Sequence, residues 1–559
     1  MTSTQVIKLG LAMLMLLPVL VTCADNSPMQ PETEPISSPP REEDGNPAFA
    51  PYEPAIEIGM VRETTDALED MVAGLPGESL LDNRWTRLYE EELGIRIRYD
   101  WVDKGVLYHQ KMGVSLASGA IPDVVRVNAQ QLRRLSNANQ LQDLTYVYEA
   151  YASPLTREIL NEEGPSPLDM GTIEGRLMGI PETSGSVEQA MFIWLRTDWL
   201  EALDLQPPTT MQELLAISEA FTERDPDGSG ASDTYGLGIA SHIWDPVAGL
   251  VGFMAGYGAY PNIWIDDGDG RLVYGGIQPQ VKEALAVLRQ MYLDGQIDSE
   301  FGLKNGLKVQ RDIAEGRIGL VYGEQWSSFF VQPSRSGDAN AQWQAFPIVS
   351  ATEALPRVPL KVSPSQFFAV RKGYEHPEAL LKLFNLHLEK NWGETADYEK
   401  YYSTPQPVWQ LSPVTPYPGR KNLDAYRQLE EARQTGDFTR LQAEARAIHN
   451  NISIYQAGGG DSETGWGWER TYGPEGAFSI VDQYEQNGQF LMDGFAGAPT
   501  EAMIDRQFIL SNLQHETYIN IIMGRPLADF DAFVEDWHAL GGEAITAEVN
   551  RWLRDRNRS

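Results

Sequence analysis

From about residue 55 onward, apolar positions either alternate with polar ones or recur at helical spacing. AIEIGMV (residues 55–61) reads as a strand, the polar SLLDNRWTRLYEEELG as a helix, and IRIRYDWV alternates as a half-buried strand does. A helix-like KGVLYHQKMGVSLASG follows, then the apolar IPDVVRVN (residues 121–128) and a second helical stretch, AQQLRRLSNANQLQDL. Strand, helix, strand, helix, strand at this spacing predicts a parallel sheet in a doubly wound α/β lobe. Ligands of such sheets lie beyond the carboxyl ends of the strands, which puts Trp101, Asp103 and Asn128 on the ligand side.

GRLMGIPETSG (residues 175–185) predicts a strand ending in proline and small residues, suited to crossing between lobes. MFIWLRTDWLEALDL then opens a second lobe, with helix-like QPQVKEALAVLRQMYLDG and LKVQRDIAEG. IGLVYGEQW (residues 318–326) is an apolar strand that ends at an aromatic. A chain of 559 residues is too long for one core, which agrees with two lobes. No internal repeat is present.

Charge narrows the partners. Lys and Arg number 44 against 79 Asp and Glu, a net charge of −35, and such a surface repels nucleic acid. The single cysteine, Cys23, follows Lys8 and the apolar run LGLAMLMLLPVLV, which suits a secretory signal and is too short to span a bilayer. Leu20-Val21-Thr22-Cys23 resembles a lipobox, in which Cys23 would be lipidated; the alternative is an ordinary signal peptide with an incidental cysteine. The expectation is a signal peptide over 1–22 and a lipidated tether over 23–52, whose proline, serine and acid content prevents it from burying a core. With no second cysteine there is no intramolecular disulfide, and packing alone stabilises the body.

Several stretches carry a resemblance: SGAIPDVVRVN, RTDWLEALDLQPPTTMQELLAISEAFTERDPDGSGASDTYGLGIA, DGDGRLVYGGIQPQVKEALAVLRQMYLDGQIDSEF, GWGWERTYGPEG and INIIMGRPLADFDAFVEDWHALGGEAITAEVNRWL. In this order the chain resembles the family 1 extracellular solute-binding lipoproteins, the carbohydrate receptors of ABC importers, in their large Paenibacillus-type form. The resemblance implies a two-lobed class II periplasmic-binding-protein fold with extra C-terminal helices, closing like a flytrap. The N-terminal lobe would take 53–180 and 350–410, and the C-terminal lobe 181–349 and 411–559. It further implies a monomer with no catalytic activity, tethered outside the membrane, that passes an oligosaccharide to permease subunits.

An exported carbohydrate-active enzyme is the alternative, with a sugar- or peptide-sensing surface receptor behind it. Glycosidases need a spaced carboxylate pair, but with 79 acids any chain could supply one. The seven histidines are scattered, with no HExxH, and there is no GxSxG elbow and no P-loop. Sugar sites combine aromatic platforms with carboxylates and amides. The candidates for ligand contact are Trp326 at the end of its strand, Trp466 and Trp468 in a glycine-flanked segment that reads as a loop, and Trp244. Asn128, Asp123 and Glu182 complete the set, although Asp123 could instead pin its strand.

RDPDGSGASDTYG (residues 224–236) packs three aspartates and three glycines into one loop. Set on the calcium-loop pattern, Asp225 falls first, Asp227 third, Ser229 fifth and Gly230 sixth. The Ala231 carbonyl would be seventh and Asp233 ninth, while Gly236 stands where a bidentate Glu belongs. Either the loop holds a structural Ca²⁺ through Asp225, Asp227, Ser229, Ala231 and Asp233, or it is an Asx/Gly turn with no ion.

Overall fold

A computed structural model of the chain describes residues 46–164, 166–362, 364–458 and 462–558. The expected signal peptide, Cys23 and most of the tether lie outside these residues.

The alternation in IRIRYDWV is realised in the strand Ile95–Lys104, where Ile95 and Ile97 are buried and Arg96 and Arg98 exposed. It pairs in parallel with the strand Ile56–Thr64, in register from Ile56 opposite Ile95 to Thr64 opposite Lys104, with one irregularity after Met60. The helix Arg84–Leu93 lies between them. Asn83 starts it through a reciprocal cap with Thr86, and Gly94 ends it at φ 63°. A Cβ on Gly94 would meet the Tyr52 carbonyl oxygen at 2.4 Å, so both its conformation and its surroundings require glycine.

The parallel expectation stops there. Val124–Asn128 runs antiparallel to Gln366–Val370, which also pairs with Ile180–Pro181. The residue before that strand explains its separation from the first pair. Asp123 accepts the Gly59 N–H at 2.9 Å and pairs with Arg371 at 2.7 Å, so a side chain takes a donor that a ladder bond would use.

The second sheet has strands in the order Trp343–Pro347, Phe192–Arg196, Ile318–Gly323, Tyr235–Leu237. Its centre is apolar on both faces: every residue of Phe192–Arg196 and of Ile318–Gly323 is buried. Only the pairing of Ile318–Gly323 with Tyr235–Leu237 is parallel. The acidic turn in IDDGDGRLVYG joins an antiparallel hairpin, Trp264–Asp266 with Leu272–Tyr274, as a turn of that composition should. Helices from Lys421–Thr435 through Glu543–Arg556 complete this half.

The buried side chains form two bodies of core. Two adjoining clusters draw on residues 58–180 and 367–414, and a larger one on 187–360 and 423–549. The chain therefore crosses between them three times: after Ile180, after Leu360 and after Val414. Two lobes joined by three crossings make a mixed α/β architecture with its floor at the crossings.

Candidate ligand-binding cleft

All three crossings meet at a cavity of about 630 Å³. Ser184 and Gly185 come from the first, Lys361, Val362 and Ser365 from the second, and Tyr417 from the third. The apolar strand Ile318–Gly323 ends at its wall and delivers Glu324, Gln325 and Trp326 into it. Trp326 sits at the start of the short helix Ser327–Val331, and its indole N–H donates to the Glu324 carboxylate at 2.9 Å. Trp244 and the segment Tyr260, Pro261, Asn262 close the far side. A second cavity of about 440 Å³ shares Trp244, Asn262 and Lys361 with the first and continues past Asp493 and Gln514.

Charged groups here are partly withdrawn from water. Burial pushes the Glu324 carboxyl up to about 7; the Trp326 N–H opposes the shift and the charge of Glu188 adds to it. Burial likewise raises Glu188 to about 7, against the pull of Lys421 and of an Asn422 amide that donates at 2.6 Å. Asp493 rises to about 6 through burial, although it accepts the backbone N–H groups of Trp264 and Phe495 at 2.9 and 3.1 Å. The Lys361 side chain stands in the open cleft, yet the surrounding walls lower its pKa, with Asp493 and Glu324 resisting. Four aromatic side chains, Trp244, Trp326, Tyr260 and Tyr417, line the same space. Flat apolar faces beside amides and carboxyls can stack on a polyhydroxylated ring and bond its hydroxyls.

Of the residues expected at a site, Trp326 and Trp244 line this cleft; Trp244 also packs edge-on against Tyr518 at 5.8 Å. The loop reading of Trp466 and Trp468 is corrected, since both lie in the helix Ser462–Tyr472. Trp466 is completely buried, with the guanidiniums of Arg335 and Arg470 5.4 and 5.7 Å from its ring centroid. Trp468 packs on Phe329 and stacks on Tyr472. The glycines flanking them serve helix packing: a Cβ on Gly467 would strike Phe329 at 2.5 Å.

Asn128 does not face the cleft; it caps the helix Ala129–Asn137 by accepting the Gln131 N–H and receiving the Gln131 side chain on its own N–H. Asp123 pins strands as described above. Asp103 pairs with Lys111, which lies over the Trp101 ring at 5.5 Å. Glu182 lines a separate cavity of about 220 Å³, bound by Arg126 at 2.6 Å and by the Thr415 hydroxyl. Sequence reasoning missed Glu324, Glu188, Lys361 and Tyr417. Glu324 was within reach, standing two residues before Trp326 at the same strand end. Lys361 and Tyr417 carried no local signal, because their place follows from where the chain crosses.

The aspartate-rich loop follows the helix Met211–Glu223 and is exposed. Asp225 takes φ 49°, and its carboxylate accepts the Gly230 N–H at 3.1 Å. Asp227 accepts from Ser229 at 3.1 Å, and the Ser229 hydroxyl from Ala231 at 3.2 Å. The oxygens at the first, third and fifth places are thus each held by a backbone N–H. Among the described residues no three acidic, histidine or cysteine side chains gather to hold a metal, so Asp233 does not join Asp225 and Asp227. Glutamate could not stand at Gly236: a Cβ there would meet the Ser218 hydroxyl at 2.1 Å and its carbonyl at 2.4 Å. The donors that remain fit a weakly held oxygen-coordinated ion.

A two-lobed α/β body with an aromatic-walled cleft at its crossings defines a ligand-binding protein of the periplasmic receptor type. Residues 63–390, more than half the chain, match the family described as bacterial extracellular solute-binding protein, and the chain belongs to that family. It is 24% identical over 266 residues to lipoprotein LipO of Bacillus subtilis, covering 46% of this chain and 50% of that one. It is 26% identical over 232 residues to the polygalacturonan/rhamnogalacturonan-binding protein YtcQ of the same organism, covering 40% and 43%. The chain thus spans half the length, or less, of these curated relatives. Among solved structures, the Streptococcus pneumoniae substrate-binding protein FusA in complex with kestose superposes with TM-score 0.63 at 14% identity, over 90% of this chain and all of that one. The alginate-binding protein AlgQ2 without calcium ion gives TM-score 0.61 at 14% identity, over 91% and 99%. Both likenesses establish the fold.

Proposed function

We propose that this protein captures an oligosaccharide outside the membrane and delivers it to the permease subunits of an ABC importer. The observation that carries the reading is the cleft itself, where Trp326, Trp244 and Tyr417 stand beside half-buried carboxyls and amides at the three crossings. Its relatives are named for polygalacturonan/rhamnogalacturonan and for fructooligosaccharide ligands, which supports a sugar as the solute. The protein binds without chemistry, as a receptor, and is held to the membrane by lipid on Cys23. A thermal-shift panel of oligosaccharides tests the reading. At least one sugar should raise the melting temperature, and Trp326→Ala should weaken its binding by about tenfold or more through lost stacking. Release of reducing ends in the same wells would favour the carbohydrate-active enzyme instead. Cys23→Ser should move the protein from the membrane fraction into the medium. The loop at Asp225, Asp227, Ser229 and Ala231, without Asp233, is read as a structural calcium brace, remote from the sugar.

A further inference from the structure

We propose that the cleft selects neutral oligosaccharides and turns uronates away. This rests on the receptor reading above and names the class of sugar it takes. Three carboxyl side chains line the two adjoining cavities, Glu188 and Glu324 in the first and Asp493 in the second. Among the described residues one lysine, Lys361, stands where the cavities join, and no arginine lines either of them.

A uronate in an enclosed site needs a cation to meet its carboxylate, and arginine does this best because its planar fork gives two parallel hydrogen bonds. Lys361 is not available to act alone. It lies within the electrostatic reach of both Glu324 and Asp493, so a single lysine stands against three carboxyls. A polyuronate carries a carboxylate on every residue, so a chain filling both cavities would set at least one against Glu188, Glu324 or Asp493. Like charges brought together out of water are strongly unfavourable.

The remaining polar lining suits hydroxyls. Asn262, Gln189 and Gln325 offer amide donors and acceptors, and Ser184 a hydroxyl. Glu324 contributes to the same end: one of its oxygens holds the Trp326 indole N–H, and a carboxyl that gains its proton can donate to a ring or hydroxyl oxygen. The indole faces and the two tyrosines supply stacking for C–H faces, which every neutral pyranose and furanose presents.

The test is calorimetric titration of the full chain at pH 8, where the wall carboxyls are ionised, with two panels matched in length. One holds neutral tri- and tetrasaccharides built from fructose, glucose, galactose, mannose and xylose; the other holds galacturonate and alginate oligomers. The expected result is saturable binding of at least one neutral sugar, little changed by salt, with every uronate weaker by about 100-fold or more. In Glu188→Gln/Glu324→Gln, whose folding is checked by its melting curve, that gap should narrow by about tenfold at pH 8, where both carboxyls are ionised and two negative charges leave the walls, and by less at pH 6, where both already carry protons. A uronate that binds as tightly as the best neutral sugar would overturn the inference while leaving the receptor reading standing. If neither panel binds, both fall.

Discussion

Glu324 is a carboxyl that the folded chain keeps protonated into the neutral range. Its value of about 7 lies above the ordinary carboxylate range, so the native state holds a proton that the unfolded chain has released. Stability from this group is full below about pH 4.5 and is lost as pH rises through about 7. Glu324→Gln mimics the protonated form. Urea unfolding should find it similar to the parent near pH 5 and more stable by about 1–3 kcal/mol near pH 8. His387 contributes with the opposite sign. Burial against Trp85 lowers it to about 3, so its stabilisation holds above about 6.5 and is lost as pH falls through about 3. Comparing variant with parent at each pH cancels this second contribution. Trp326 was legible in the sequence because an apolar strand that stops at an aromatic has a known exit. Glu188 was not, since nothing in SVEQA marks a glutamate that will face a cavity.

Capping and packing decide the roles of whole segments. Asp123 ties Gly59 to Arg371, so Asp123→Ala should destabilise by about 1–3 kcal/mol while leaving sugar affinity unchanged, as chemical unfolding and titration would register. Trp466 is enclosed in its helix, and Trp466→Ala should lower stability by about 3–5 kcal/mol through the cavity it leaves. Loss of sugar binding by a stably folded Trp466→Leu would contradict its assignment to the core. The glycine-rich run around it read as a loop because glycine weakens helix propensity. Tertiary contact overrode that preference, with Gly465 and Gly467 letting Tyr455 and Phe329 approach the helix closely. Gly236 teaches the same lesson from the other side. Its missing side chain looks like a defect in a calcium loop but is demanded by Ser218, so Gly236→Glu should destabilise the chain and fail to tighten calcium.

Across the whole molecule, a sugar that reaches from the cleft onto the first lobe would favour a closed arrangement by its excess affinity for that arrangement. X-ray scattering should therefore show a smaller radius of gyration with saturating ligand than without it. If the loop after Met211–Glu223 is a calcium brace, EDTA should lower the melting temperature of the sugar-free protein and added calcium should restore it. With Gly236 in the twelfth place, the half-effect should fall near millimolar calcium. Sequence by itself determined the first three strands, the apolar strand ending at Trp326, the helices beside them, the excess acid, and the order of motifs that marks the family, because periodicity, capping and charge are local properties of a chain. Tertiary structure decided that Val124–Asn128 pairs antiparallel, that Trp466 is core, and that Lys361 and Tyr417 meet Trp326. Those outcomes depend on which distant segments share a volume, and residues from 35 to 246 positions apart have no local pattern that announces it.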